Sequence, residues 1–396
     1  MRHLERLKKT ITRILLKNDK SIFSTGYKEQ KKILIQFDEP KDLVERSAYQ
    51  YACQMSGYPI ILRIVQNIVS IFIIIFYFCK SYKSNFESKV NNNEKLAAFL
   101  REGVTTKIIP SSLQLEYNKI IEFSMLSSVH LDMDDKYFIY NHCIKRYWYM
   151  PYFCAKCIIK LGSYSNAINR LRPAAIITHN EYSFTSSFLT EYCHYKKVEH
   201  INVMHGEKLF NIRDSFVQFD RYYVWDQYYV ELLLELRADK NQFRVEVPDN
   251  VKLYVGKNCT YKYEYTYYLA AESEKDLLNI KSNLMKTKIP LNLICIRLHP
   301  RYSDVKQINR IFKGFIIEKP NEVSLNISIS QSKYIISLYS TVLYQAYRSD
   351  KNVIIDDVTN NERYEKLKEL RYIMLNKPHL LLSKVLKNDD KQQLEE

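Results

Sequence analysis

Glycine is scarce in this sequence, with seven residues in a chain of 396. No Gly-x-Gly-x-x-Gly or Gly-x-x-x-x-Gly-Lys-Ser/Thr pattern occurs, which excludes a phosphate-binding loop built from glycine. No Asp-x-Asp pair stands at the end of a strand-like run, so the sequence predicts a site without a metal. The N-terminus is basic and lacks the apolar run of a secretory signal. The eight cysteines are therefore expected to be reduced thiols. Cys154 and Cys157 form a Cys-x-x-Cys downstream of His142 and Cys143. They lie in aromatic, helix-like text ("RYWYMPYFCAKCIIKL"), so the expectation is buried structural thiols rather than zinc ligands.

Positive charge is abundant. Fifty-nine Lys and Arg against 44 Asp and Glu leave a net +15, which points to an anionic partner: nucleic acid, anionic lipid or a phosphorylated substrate. Tyrosine is also abundant, at 33 residues. Together with Ile, Asn and Lys it suggests an AT-rich coding genome, which weakens any argument from lysine count alone. A hydrophobic content of 46% excludes a disordered chain, and 396 residues suit two domains.

The first 30 residues read as a basic amphipathic helix. Leu4, Leu7, Ile11, Ile14 and Leu15 share one face, and Arg6, Lys8, Lys9, Arg13 and Lys17 the other. That pattern fits a helix docked on its own domain or one lying on an anionic membrane. "KKILIQF" (31–37) looks like a first strand. Ile60–Cys79 is the most apolar stretch, interrupted by Arg63, Gln66 and Asn67 and followed by Lys80 and Lys83. The uninterrupted part is short for a span, so a buried or monotopic helix is expected. The region from about 58 to 165 reads as a helical insertion.

From Ala174 the text changes to strand, polar loop, helix, repeated: "AAIITHN", "HINVMHGEK" and "RYYVWD", then, after a crossing at "VEVPDN", "YTYYLAA", "LNLICIRLHPR", "GFIIEKP", "KYIISLYS" and "NVIIDD". Helical segments stand between them, one opening at Ser273 as N-cap. This grammar predicts an α/β protein with parallel sheets and function at the strand C-terminal ends. The expected domains are 31–247, with the helical insertion, and 248–396.

Three strand ends in the second half carry candidate site residues: Arg297, His299, Pro300 and Arg301; Glu318; and Ser337, Ser340 and Thr341, the last two opening a helix. Hydroxyls at a helix N-terminus with Arg and His opposite make an anion clamp without glycine. Glu318 is placed to accept from ribose hydroxyls. In the first half, His205 follows a strand and is typed as a general base, with Glu181 as its rival. Gly206, Glu207, Lys208 and Asp214 follow on the acceptor side, and Gly206 is expected to meet a backbone need.

"RLHPR" followed by "SLYSTVLYQA" resembles the HP and Ser/Thr motifs of bacterial sialyltransferases and polysialyltransferases. That resemblance implies a CMP-binding role for His299, Pro300, Ser340 and Thr341. A strand followed by "HG", with a later "HP", is similar to the CDP-glycerol glycerophosphotransferases of teichoic acid synthesis, whose two histidines correspond to His205 and His299. "MHGEKLF…D…YYVWD" is similar to capsule and surface-polysaccharide biosynthesis proteins. These families share a GT-B-like fold, two Rossmann-type domains with the donor held mainly by the C-terminal one. The resemblance covers about 174–356.

The expectation is a metal-independent, cytoplasmic glycosyltransferase on the inner face of the plasma membrane. It would take a nucleotide-activated sugar, CMP-linked before others, and a glycan or lipid-linked glycan acceptor in bacterial surface-glycan synthesis. Its expected partners include an anionic inner-membrane surface but no nucleic acid, and it needs no cofactor beyond the nucleotide-sugar donor. One rival is transfer of a polyol phosphate from a CDP-linked donor. Another, of a different class, is a non-catalytic basic protein associated with membrane or nucleic acid.

Overall fold

The computed structural model describes residues 25–79, 95–101, 105–124, 131–252 and 261–391. The basic stretch Leu4–Lys17 lies outside them. The chain divides into two compact units. One comprises residues 1–205 and 210–248, the other 206–209 and 249–396. Each is built on a six-stranded sheet whose pairings are all parallel. The fold class is α/β, as the repeated strand–loop–helix text predicts.

In the first unit the strands are β1 (Leu96–Arg101), β2 (Lys119–Ser124), β3 (Ala175–Thr178), β4 (Glu199–Val203), β5 (Arg221–Val224) and β6 (Phe243–Val245). They run in the order β2-β1-β3-β4-β5-β6. Successive residues point to opposite faces, and both faces are covered. Leu100 and Ile176 pack with Phe153, Leu161 and Phe188 on one side, while Phe99, Ile177 and Val203 pack with Ile109 and Leu113 on the other. Helices α2 (Leu43–Met55), α4 (Pro151–Leu171) and α5 (Ser186–Tyr195) supply the first of these layers.

Two expectations give way here, and one arm of a third. "KKILIQF" is not a strand. It overlaps helix α1 (Tyr27–Leu34), whose Gln30 and Leu34 are buried at i, i+4 spacing. Gln30 donates to the Phe210 carbonyl and accepts from the Ile212 amide, so tertiary contacts override the strand-like local text. The region 58–165 is not purely a helical insertion either, because β1 and β2 belong to the sheet. "LAAFLR" shows no alternation because β1 is buried on both faces. Helix α3 (Ile60–Cys79) is not a core helix: only Gln66 and Ser70 on it are buried.

The second unit contains β7 (Tyr263–Tyr268), β8 (Ile294–Arg297), β9 (Ile316–Glu318), β10 (Ser332–Ser337), β11 (Asn352–Ile355) and β12 (Leu380–Leu381). Their order is β12-β11-β10-β7-β8-β9. Counted from the unit's first strand this is 3-2-1-4-5-6 read from the other edge, the doubly wound dinucleotide-binding order. Helices α7 (Glu274–Lys286), α8 (Thr341–Arg348) and α9 (Asn361–Glu369) connect or follow these strands. Ser273 caps α7 through a capping box with Asp276.

Candidate functional site

In a doubly wound sheet the chain leaves the first strand in one direction and later strands are added in the other. The crevice between the diverging connections opens at the strand C-terminal ends. In the second unit that point lies between β7 and β10. A cavity of ≈ 670 Å³ lies there, lined by Leu269, Ala270 and Ala271 past β7, by His299 and Pro300 past β8, and by Tyr339, Ser340 and Thr341 past β10. The turn after β7 carries two alanines where the dinucleotide fingerprint would place glycine.

His299 is held in one tautomer. The Arg301 backbone N–H donates to its Nδ1 at 3.0 Å, so in the neutral ring the proton sits on Nε2. Its pKa is lowered, first by burial and then by the nearby Arg301 charge. At neutral pH the residue is an N–H donor rather than a cation. The Tyr302 ring stacks on it, centroids 4.5 Å apart. Ser340 caps α8, its hydroxyl accepting from the Val342 amide at 3.3 Å. That leaves the Ser340 O–H as a donor, beside the Thr341 hydroxyl and the positive end of the helix.

Other predicted members stand elsewhere. The Arg297 guanidinium is not free for a phosphate. It is buried and paired with Glu318, and its second arm donates to the Val323 carbonyl at 2.9 Å. Glu318 is correspondingly engaged by Arg297 rather than offered to a ribose. Arg297 still lines the cavity, but with its charge already met. Arg301 is exposed, is not part of the lining, and contributes its backbone. Ser337 is fully buried and donates to the Tyr268 carbonyl at 2.9 Å, a strand-to-strand tie.

Two of the residues expected on the acceptor side, Gly206 and Glu207, line this cavity. Gly206 meets no backbone need: its φ is not positive, and an added Cβ would meet nothing within 4 Å. Both Glu207 carboxyl oxygens are shut from solvent. Burial pushes its pKa well above the carboxylate range, opposed only by the Tyr372 hydroxyl. Burial thus favours the protonated form of Glu207, which can donate a hydrogen bond. Lys208 is buried. Arg363, near the start of α9, also lines the cavity. Sequence reading missed it because it follows no strand directly; the signal was an Asn360 N-cap after the last long strand.

A second cluster lies in the first unit. β3 and β4 pair in parallel, with Thr178 beside Asn202, so the residues just past their ends meet. Glu181 is fully buried. It accepts from Asn202 Nδ2 at 3.0 Å, and its other oxygen lies 3.8 Å from His205 Nδ1. The two are thus neighbours rather than rivals, with the half-buried imidazole facing the buried carboxylate. The His179 ring stands 4.8 Å from that of His205. Sequence reading passed over His179, although it occupies the position directly after β3. Asp214 is buried and accepts from Arg213 Nε at 3.1 Å.

The group Asp132, Asp134 and Asp135 brings three carboxylates close together. Protein donors already engage them. Asp132 caps a helix, Asp134 meets Tyr195 and Lys196, and Asp135 accepts from Ser165 and Tyr192. Cys143, Cys154 and Cys157 are buried thiols.

No family model matches the chain, and no curated protein matches it. Similar solved structures include UDP-GlcNAc 2-epimerase from Neisseria meningitidis bound to UDP-GlcNAc, at 13% identity over 76% of this chain and 91% of that one (TM-score 0.44). The wall teichoic acid polymerase TagF, solved with CDPG, is similar at 11% identity over 86% and 92% (TM-score 0.42). The calicheamicin glycosyltransferase CalG4 is similar at 6% identity over 73% and 85% (TM-score 0.43).

Proposed function

We propose that this protein is a glycosyltransferase that binds a nucleotide-activated sugar in the second unit and transfers the sugar to a surface-glycan acceptor. The observation that carries the reading is the cavity at the strand-order switch, which combines the His299 Nε2–H, the Ser340 and Thr341 hydroxyls at a helix start, and Arg363. These are donors and positive charge suited to a phosphate, and they would stabilise the charge that gathers on a nucleotide leaving group. A CMP-linked donor ranks first on the likeness of "RLHPR" and "SLYSTVLYQA" to the sialyltransferase motifs. His205, with Glu181 behind it, is assigned as the base that deprotonates the acceptor hydroxyl.

The test is a thermal-shift series with CMP, CDP, UDP, GDP and ADP on wild type and His299→Ala. Stabilisation by one nucleotide, lost in the variant, is the expected result. No shift with any nucleotide at millimolar concentration would overturn the donor site. Product mass then distinguishes sugar transfer from transfer of a polyol phosphate.

A further inference from the structure

Helix α3 is built inside out. Ile60, Ile61, Ile64, Val65, Ile68, Ile71, Phe72, Ile75 and Phe76 are all at least 42% exposed. Their spacing draws one stripe along the helix, and 16 rises of 1.5 Å from Ile60 to Phe76 make it about 24 Å long. The polar residues of the same helix turn the other way. Gln66 and Ser70 are buried, and Asn67 accepts the Tyr152 amide at the start of α4 at 3.0 Å. A helix of a water-facing surface shows the opposite arrangement.

The inner side fixes the helix to its unit. Ile74, Tyr77 and Phe78 pack against the core cluster that includes α4. At the far end the Lys136 ammonium donates to the Phe78 carbonyl at 2.8 Å. A transmembrane crossing would strip these contacts and expose Gln66 and Ser70 to hydrocarbon. The outer stripe meanwhile contains no charge and no side-chain hydrogen-bonding group. An interface with a protein partner ordinarily carries about one hydrogen bond per 100–200 Å², and this stripe offers none. Trp148 and Tyr149, on the segment leading into α4, are exposed at 73% and 57%, the residue types that settle at the level of lipid headgroups. The net charge of +15 complements an anionic surface.

We infer that α3 is a monotopic membrane-docking helix: it lies in the plane of an anionic bilayer with the Ile60–Phe76 stripe in the acyl boundary and its polar side kept on the protein. This docking does not depend on the transferase reading.

The test is flotation of the full chain with phosphatidylcholine vesicles and with phosphatidylcholine vesicles containing phosphatidylglycerol. Wild type and Leu115→Glu, which alters an exposed apolar residue elsewhere on the same unit (87% exposed), should float, more strongly with the anionic vesicles. The triple variant Ile64→Glu/Ile68→Glu/Phe72→Glu should lose at least tenfold in partitioning while keeping wild-type circular dichroism and unfolding temperature. Spin labels at positions 61, 68 and 75, which share one face, should report equal immersion depths; depths graded along the helix would mean a span and would overturn the in-plane arrangement. A wild type that floats with neither vesicle, or that forms a dimer abolished by the triple variant without binding lipid, would overturn the membrane assignment.

Discussion

The imidazole of His299 lies between two neighbours from its own turn: the Arg301 amide, which donates to Nδ1, and the Tyr302 ring, which stacks on it at an interplanar angle of 23°. The turn thereby fixes both tautomer and ring plane before any ligand arrives. On the proposed donor role, removing the imidazole deletes a hydrogen bond to a charged phosphate, worth about 1.5–3 kcal/mol. His299→Ala should therefore weaken nucleotide binding roughly 10- to 150-fold. Tyr302→Ala, which frees the ring without deleting it, should cost about 0.5–1.5 kcal/mol. Isothermal titration with the best nucleotide reads both.

His205 and Glu181 belong to the first unit, and the cavity beside His299 lies within the second. His205→Ala should lower turnover by roughly 10²- to 10⁴-fold while leaving the thermal shift given by the nucleotide intact. Glu181→Gln should lower turnover less, because the ring loses its carboxylate neighbour but stays in place.

The Arg297–Glu318 pair predicts a stability effect, not a binding one. Arg297→Met leaves a buried carboxylate uncompensated and should cost about 3–5 kcal/mol. The double variant Arg297→Met/Glu318→Leu should recover most of that loss. Urea unfolding of the three proteins decides; a single variant as stable as wild type would contradict the pairing.

His200 is fully buried, with the Tyr164 hydroxyl 2.9 Å from Nε2 and the Thr190 hydroxyl 2.8 Å from Nδ1. Burial lowers its pKa to about 3. A folded pKa below the unfolded value means that the unfolded state binds the extra proton. The contribution of His200 is therefore complete above about pH 6.5 and falls as pH drops toward 3, by about 1.4 kcal/mol per pH unit. His200→Gln should flatten that part of the stability–pH curve between pH 6.5 and 4.5.

Gly206 borders the cavity with open space where a Cβ would stand. Gly206→Ala should fold and bind as wild type does. Gly206→Trp should keep its unfolding temperature but lose nucleotide binding, because the indole would occupy ligand space. Thermal unfolding with and without nucleotide separates the two effects.

The amino-acid sequence by itself determined the α/β class, half the strands of the first sheet, most of those of the second, and the turns that carry His205, His299 and Ser340. These are local properties. A short apolar run that stops at polar residues marks the end of a parallel strand wherever that strand goes, and a Ser before a helical run caps it. Strand β1 escaped because a strand buried on both faces has no alternation to read, and α1 was misread because its apolar run is local while its partners, Phe210 and Ile212, are some 180 residues away. Only the tertiary structure decided which charges stay available. Arg297 and Glu318 share type and setting with free ligands, but β8 and β9 are neighbours in register, Arg297 beside Glu318, so the two neutralise each other. Glu181 changed from rival to neighbour of His205 for the same reason, since β3 and β4 end side by side. Sequence records which groups a chain can offer; the pairing of its strands settles which of them meet each other and which remain for a ligand.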